Sequence, residues 1–247
     1  MIKQRGISLI ELMISLLLAS LLVIALMQHC LSTKQQYGHL QTSLEGAFEL
    51  ELVSDLIRDS IRKAGFTPCL SINSLQTVDR RTNKTNLSAI EIQTTKHQGL
   101  HTNRMSDYFS TVIDVHSPTT LLVTANKIYK SKEAILIADC YQAEVHQILQ
   151  AQKTKAGILI TLTKPLLKNF VPPFYLGDWL EETFFIQRNK QGHLALFYQS
   201  QHAEELTPLV NSLSSQLKIS RGYTFVDLLL GLNNAKKLHI EARVRAA

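Results

Sequence analysis

Hydrophobic and polar positions divide the chain into three regimes. From Ile7 to Met27 almost every position is apolar, broken only by Ser8, Glu11, Ser15 and Ser20. A helix of this length can cross the roughly 30 Å hydrocarbon core of a bilayer. After Gln28 the pattern turns amphipathic with no proline: Leu40, Leu44, Phe48, Leu52 and Leu56 recur every four residues, and Val53, Ile57, Ile61 and Ala64 fill an adjacent stripe. Glu45, Glu49, Glu51, Asp55, Arg58, Asp59, Arg62 and Lys63 take the other faces. The two regimes together predict one helix from Ile7 to Ala64, with the stripe from Leu44 to Ile61 covered by the rest of the chain. Gly38 and Gly46 each cost about 1 kcal/mol relative to Ala and mark places for a local bend. Gly65 follows the last periodic residue as a stop signal, with Pro68 just beyond.

The third regime has short β-branched and apolar runs separated by turn-forming clusters. Thr67 to Asn86 reads as loop. Strands are expected at Ala89–Thr95, Thr111–Val115, Leu121–Ala125, Ala134–Ala138, Glu144–Leu149 and Ile158–Leu162. A hairpin is expected from Glu182–Arg188 and His193–Gln199 around Asn189-Lys-Gln-Gly, with later strands at Leu217–Ser220 and His239–Val244. Phe225–Leu232 reads as a short helical piece. The class is therefore α+β: a long N-terminal helix packed on a mostly antiparallel β-sheet head. The expected divisions are a leader at 1–6, an apolar helix at 7–28, its amphipathic continuation at 29–65 and a β-rich head at 66–247.

Charge adds orientation to this picture. The chain has 247 residues and a formal charge of +6. Lys3 and Arg5 precede the apolar run, and positive residues favour the cytoplasmic side. Residues after Met27 are then sent outward, into the periplasm of a bacterium with two membranes. Lys and Arg elsewhere are dispersed, which argues against nucleic-acid binding. Cys30 lies at the outer end of the apolar helix, whereas Cys69 and Cys140 fall in the exported part. An oxidising compartment permits a bond between these two; two separately buried thiols are the alternative.

Chemistry concentrates at one acidic residue. Glu11 lies inside an apolar run, where a carboxylate is costly and reads as functional by default. Its plain alternative is a carboxylate stabilised by the helix dipole. An ordinary secretory signal offers a small-residue cleavage site after its apolar region. Here the polar-to-apolar junction, Gly6/Ile7, comes before it, so cleavage there would keep the helix on the mature protein and create an amine on Ile7 one helical turn from Glu11. Catalytic signatures such as Gly-x-Ser-x-Gly, His-Glu-x-x-His, a phosphate-binding glycine loop and Cys-x-x-Cys are lacking. His97 and His101 have metal-compatible spacing, but their polar surroundings suggest a loop. Arg80, Arg81, Lys84, Lys96 and Arg104 could form a basic patch, for which a solvated loop is the simpler reading.

Gly6-Ile-Ser-Leu-Ile-Glu-Leu-Met resembles the class III signal of type IV prepilins. Many major pilins carry a proline where Gln28 stands here. Ser54-Asp-Leu-Ile-Arg-Asp-Ser-Ile-Arg-Lys-Ala-Gly-Phe-Thr-Pro-Cys69, Ile135-Leu-Ile-Ala-Asp-Cys-Tyr-Gln-Ala-Glu-Val-His-Gln and Thr183-Phe-Phe-Ile-Gln-Arg-Asn-Lys-Gln-Gly-His-Leu-Ala-Leu-Phe-Tyr are similar to segments of PilW-type minor pilins. This resemblance implies a non-enzymatic subunit that helps prime pilus assembly, without cofactor, metal or small-molecule substrate. It implies cleavage at Gly6/Ile7 and N-methylation of Ile7 by a prepilin peptidase, and a register role for Glu11 against the neighbouring subunit's amine. The implied partners are other minor pilins, the major pilin and the inner-membrane assembly platform. J-class pseudopilins of type II secretion share the leader, helix and size. A membrane-tethered periplasmic binding or enzymatic domain is the more distant alternative.

Overall fold

A computed structural model describes residues 9–93 and 99–245, and the chain divides into two units, Met1–Glu51 and Leu52–Ala247. The Gly6/Ile7 junction, Lys96 and His97 lie outside the described residues. Helix α1 (Leu9–Lys63) supplies all of the described first unit and enters the second at Leu52. It runs unbroken through Gln28, Gly38 and Gly46. Its hydroxyls close on their own helix: Ser15 donates to the Leu12 carbonyl at 2.9 Å and Ser20 to the Leu17 carbonyl at 2.8 Å. The apolar run therefore presents no unsatisfied hydroxyl donor at these two positions.

Within the second unit, α1 buries a narrow stripe of Val53, Ser54, Ile57, Ser60 and Ile61, and Ala64 just past its end is buried as well. The broader expectation of a covered face from Leu44 to Ile61 does not hold. Leu44, Phe48 and Leu52 are 56, 65 and 72 % exposed, and Leu56 is 38 % exposed. Leu52 and Leu56 lie about 100° around the helix from Val53 and Ile57, and only the second stripe is enclosed. Gly65 stops α1 as expected. It takes φ +77°, its N–H bonds the Asn103 carbonyl at 2.7 Å, and a Cβ there would meet Ala89 Cβ and Ser71 Oγ, each at 2.8 Å.

The head is built on strands β1 (Gln76–Asp79), β2 (Lys84–Thr85), β3 (Ile90–Gln93), β4 (Gly99–Ser117), β5 (Thr120–Val123), β6 (Ala134–Ala138), β7 (Gln142–Lys153), β8 (Ile158–Leu162), β9 (Tyr175–Arg188), β10 (Leu194–Gln199) and β11 (Ala203–Thr207). They form one sheet in the order β11-β10-β9-β4-β5-β8-β7-β1-β2, with β3 on β4 and β6 between β7 and β9. Pairing is antiparallel except between β1 and β7, so the architecture is α+β with a mostly antiparallel sheet. A second sheet, β12 (Val210–Ser220), β13 (Tyr223–Leu232) and β14 (Lys237–Arg243), follows in that order.

Three local expectations are corrected. Phe225–Leu232 is strand, not helix, and pairs with both β12 and β14. Val226, Leu228 and Leu230 are buried at alternate positions, a period-two signal that the unbroken Leu228-Leu229-Leu230 run conceals. The segment 67–86 is not plain loop; it holds a 3-10 turn at Ile72–Ser74 and strands β1 and β2. His101 lies in β4 and not in a loop.

The apolar core centres on Val112, Leu121, Ile135, Ile137, Ile148 and Ile160, with Phe174 from the approach to β9 and Leu176 from β9 itself. Cys69 and Cys140 are bonded, tying the segment after α1 to the turn before β7. Long-range pairing of β4 with β9 places Thr102 opposite Glu182 and Asn103 opposite Glu181. Side chains alternate across a strand, so the former pair shares one face of the sheet and the latter the other. Ser60 of α1 reaches Thr102 and Glu182, which fixes the even-numbered face as the one covered by the end of the helix.

Candidate assembly segment and the charged groups of the head

The first unit offers a surface. Large apolar side chains from Leu9 to Met27 are 52 to 77 % exposed. The helix is long and apolar enough, by length and composition, to cross a membrane. Glu11 lies in its first turn and is exposed. A carboxylate here is favoured by the partial positive charge of the helix start. It also lies near the start of an exposed apolar surface, and in a bilayer such a carboxylate is costly.

Sequence reasoning singled out a set of basic residues, and the head distributes them among acids. Arg81 donates to Asp79 at 3.0 Å and to Glu181 at 2.7 Å, and Lys84 lies 2.6 Å from Glu91. Arg104 approaches Glu182 at 3.3 Å and Asp107 at 3.8 Å, while the Arg80 guanidinium donates to the Pro165 carbonyl at 3.4 Å. Arg81, Lys84 and Arg104 are thus paired with carboxylates on or beside strands, which is the opposite of an open phosphate-binding face. Burial alone would push the Asp79 carboxyl up, but the hydrogen bonds and charge of Arg81 hold it below its ordinary value. Among the described residues no group of three His, Cys, Asp or Glu could hold a metal, and His101 bonds Thr183 at 2.7 Å.

Two buried polar clusters were not singled out from sequence. On β7, Glu144 and His146 are both fully buried and 2.8 Å apart. Glu144 also accepts from the backbone N–H groups of Leu167, at 3.1 Å, and Lys168, at 2.6 Å. Burial would raise this carboxyl, yet the bonds from His146, Leu167 and Lys168 hold it below its ordinary value. The second cluster joins Ser60, Thr102, Arg104, Glu182 and Tyr198. The sequence signal for Glu144 was present as a polar residue at an inward position of an apolar strand. Nothing local marks Glu182, whose partners come from three other elements.

The family described as the prokaryotic N-terminal methylation motif matches residues 1–27. That match supports a type IV pilin-like protein. It implies processing by a prepilin peptidase and assembly with other pilins, and with the single apolar helix it fits an inner-membrane anchor. No curated protein and no solved structure matches the chain.

Proposed function

We propose that this protein is a minor type IV pilin of the PilW type, a structural and non-enzymatic subunit that helps start pilus assembly with other minor pilins and the major pilin. The observation that carries the proposal is the methylation motif leading directly into an exposed apolar helix with one carboxylate, Glu11, in its first turn. Cleavage between Gly6 and Ile7 frees the Ile7 amine, which is then N-methylated. Glu11 neutralises the amine of a neighbouring subunit and so sets the axial register of the helices. The apolar face that lipid covers before assembly is covered by sister helices afterwards. The basic leader residues Lys3 and Arg5 hold the N-terminus in the cytoplasm, and the disulfide-bonded head lies in the periplasm before assembly into the fibre.

A J-class pseudopilin of type II secretion carries the same kind of motif and helix, so the two roles separate by phenotype. Deletion of the gene abolishes surface pili and leaves protein secretion intact if the pilus assignment holds. Intact pili with lost secretion would replace it by the pseudopilin assignment.

A further inference from the structure

Two surfaces of the chain expose apolar side chains beside charges of opposite sign. The first is on α1, beyond the membrane-length run that ends at Met27. Tyr37, Leu40, Leu44 and Phe48 are each more than half exposed and, with Gln41 and Glu45, line a shallow groove of about 290 Å³. At about 100° per residue, these four and Glu51 fall within about 80° of one another around the helix, with Glu45 on the flank. No Lys or Arg lies between Gln35 and Glu51, whereas Glu45, Glu49 and Glu51 do. Glu45 accepts from Gln41, and neither it nor Glu51 forms an ion pair among the described residues.

The second surface is the hairpin end between β12 and β13. Leu217 and Ile219 continue the face on which Leu213, Val226, Leu228 and Leu230 are buried, yet Leu217 is exposed and Ile219 is 79 % exposed. Lys218 and Arg221 are the only charged residues from Leu209 to Val226. The Arg243 guanidinium of β14 stacks on the exposed Tyr223 ring, 3.5 Å from its centroid. The acids of this sheet, Asp227 and Glu241, face each other two residues behind Phe225 and Arg243, and Asp227 is bonded to His239.

A partner that covers the helix groove has to bring apolar groups flanked by cations, and one that covers the hairpin end has to bring apolar groups flanked by carboxylates. The chain supplies both halves. We infer that the β12–β13 hairpin end of one copy docks on the Tyr37–Glu51 face of α1 in a second copy. Leu217 and Ile219 enter the groove of Leu40, Leu44 and Phe48, and Lys218 and Arg221 reach the flanking Glu45 and Glu51. The contact joins two different patches, so it is heterologous: each pair keeps one free hairpin and one free helix face, and association builds open chains rather than a closed dimer. A hairpin end on about three helical turns is a small interface, in the weak class below roughly 1,200 Å². It forms where copies are crowded together. The contact is separate from the register role of Glu11 and does not depend on it.

Full-length protein in detergent micelles tests the contact without a pilus. In a Cys30→Ser background, Ile219→Cys and Leu44→Cys are placed in separate chains with different tags, mixed and exposed to a mild oxidant. The expected product is the mixed dimer, about tenfold over either homodimer, and its yield falls as salt is raised. A chain carrying both cysteines is expected to give a ladder of dimers, trimers and longer species. Lys218→Glu with Arg221→Glu in the Ile219→Cys chain lowers the mixed dimer by about tenfold or more, and Glu45→Lys with Glu51→Lys in the Leu44→Cys chain restores it. All these side chains are exposed, and unchanged thermal unfolding of each variant shows that the fold is kept. A mixed dimer no more abundant than the homodimers would overturn the inference, as would a failure of the helix reversal to restore it. If the hairpin reversal leaves the mixed dimer intact but abolishes capture on vesicles of anionic phospholipid, the hairpin end belongs to a lipid surface instead.

Discussion

Ser60, near the end of α1, donates a 2.6 Å hydrogen bond to the carboxylate of Glu182 on β9, 122 residues further along the chain. The same carboxylate accepts from Tyr198 at 3.2 Å and Arg104 at 3.3 Å, and Glu182 is only 8 % exposed. Burial first, and then this carboxylate, push the Tyr198 hydroxyl above its ordinary value. The bond registers the end of the helix against the sheet in a way that apolar contacts, being non-directional, do not.

Removing either partner should therefore cost unequal amounts. Ser60→Ala is expected to destabilise the head by about 1–2 kcal/mol, because one bond to a charged acceptor is lost while Arg104 and Tyr198 still satisfy it. Glu182→Ala is expected to cost about 3 kcal/mol, since it leaves the mostly buried Arg104 without its closest carboxylate. Denaturant unfolding followed by tyrosine and tryptophan signals measures both. Equal costs would mean that the network is not centred on Glu182.

Two glycines in contrasting surroundings, Gly38 within α1 and Gly65 just past its end, should respond with opposite sign. Gly65→Ala forces a side chain into a left-handed backbone and into Ala89 and Ser71, with an expected loss of about 2 kcal/mol or more. At Gly38 an added Cβ meets nothing within 4 Å, so Gly38→Ala should stabilise the helix by up to about 1 kcal/mol. Thermal unfolding by circular dichroism compares the pair.

The Cys69–Cys140 bond closes a loop with a sequence separation of 71 and should contribute roughly 4 kcal/mol by constraining the unfolded chain. Denatured, unreduced protein is expected to label at one thiol, Cys30, and at three after reduction. Labelling at three thiols without reduction would contradict the bond.

Asp79 and Glu144 both have carboxyls held below their ordinary values in the folded head. A depressed folded value stabilises the fold fully above the unfolded carboxylate range, near about pH 4, and the contribution is lost as pH falls through the lower folded values. Unfolding free energy should thus decline below about pH 4. Glu144→Gln should flatten that decline while lowering stability near neutral pH; an unchanged pH slope would exclude Glu144 as a contributor.

For the assembly role, Glu11→Val should insert in the membrane as the native chain does and fail to enter the fibre. Cell fractionation and immunoblotting of sheared pili make the comparison. Normal incorporation would remove Glu11 from the register mechanism.

Much of this protein is local in its information. The membrane-length apolar run, Glu11 inside it, the stop at Gly65, the strands at Ala134–Ala138 and Ile158–Leu162 and the Asn189 hairpin are set by periodicity, charge and turn chemistry within a few residues. The four-residue stripe on α1 was equally legible as a pattern but not as a destination. Periodicity states that a face is apolar, and only packing decides whether that face is enclosed, which is why Ile57 is buried and Leu52 is not. Phe225–Leu232 became strand because β12 and β14 pair with it on both sides, a non-local hydrogen-bond supply that outweighs local preference. Glu182 was invisible for the same reason: its partners are tens to more than a hundred residues away, brought together by the register of β4 on β9. The sequence alone determined the anchor, its embedded charge and the α+β class. The tertiary structure decided which apolar stripe is core, which basic residues are neutralised and which polar groups meet, because those outcomes depend on long-range pairing that no short window of residues contains.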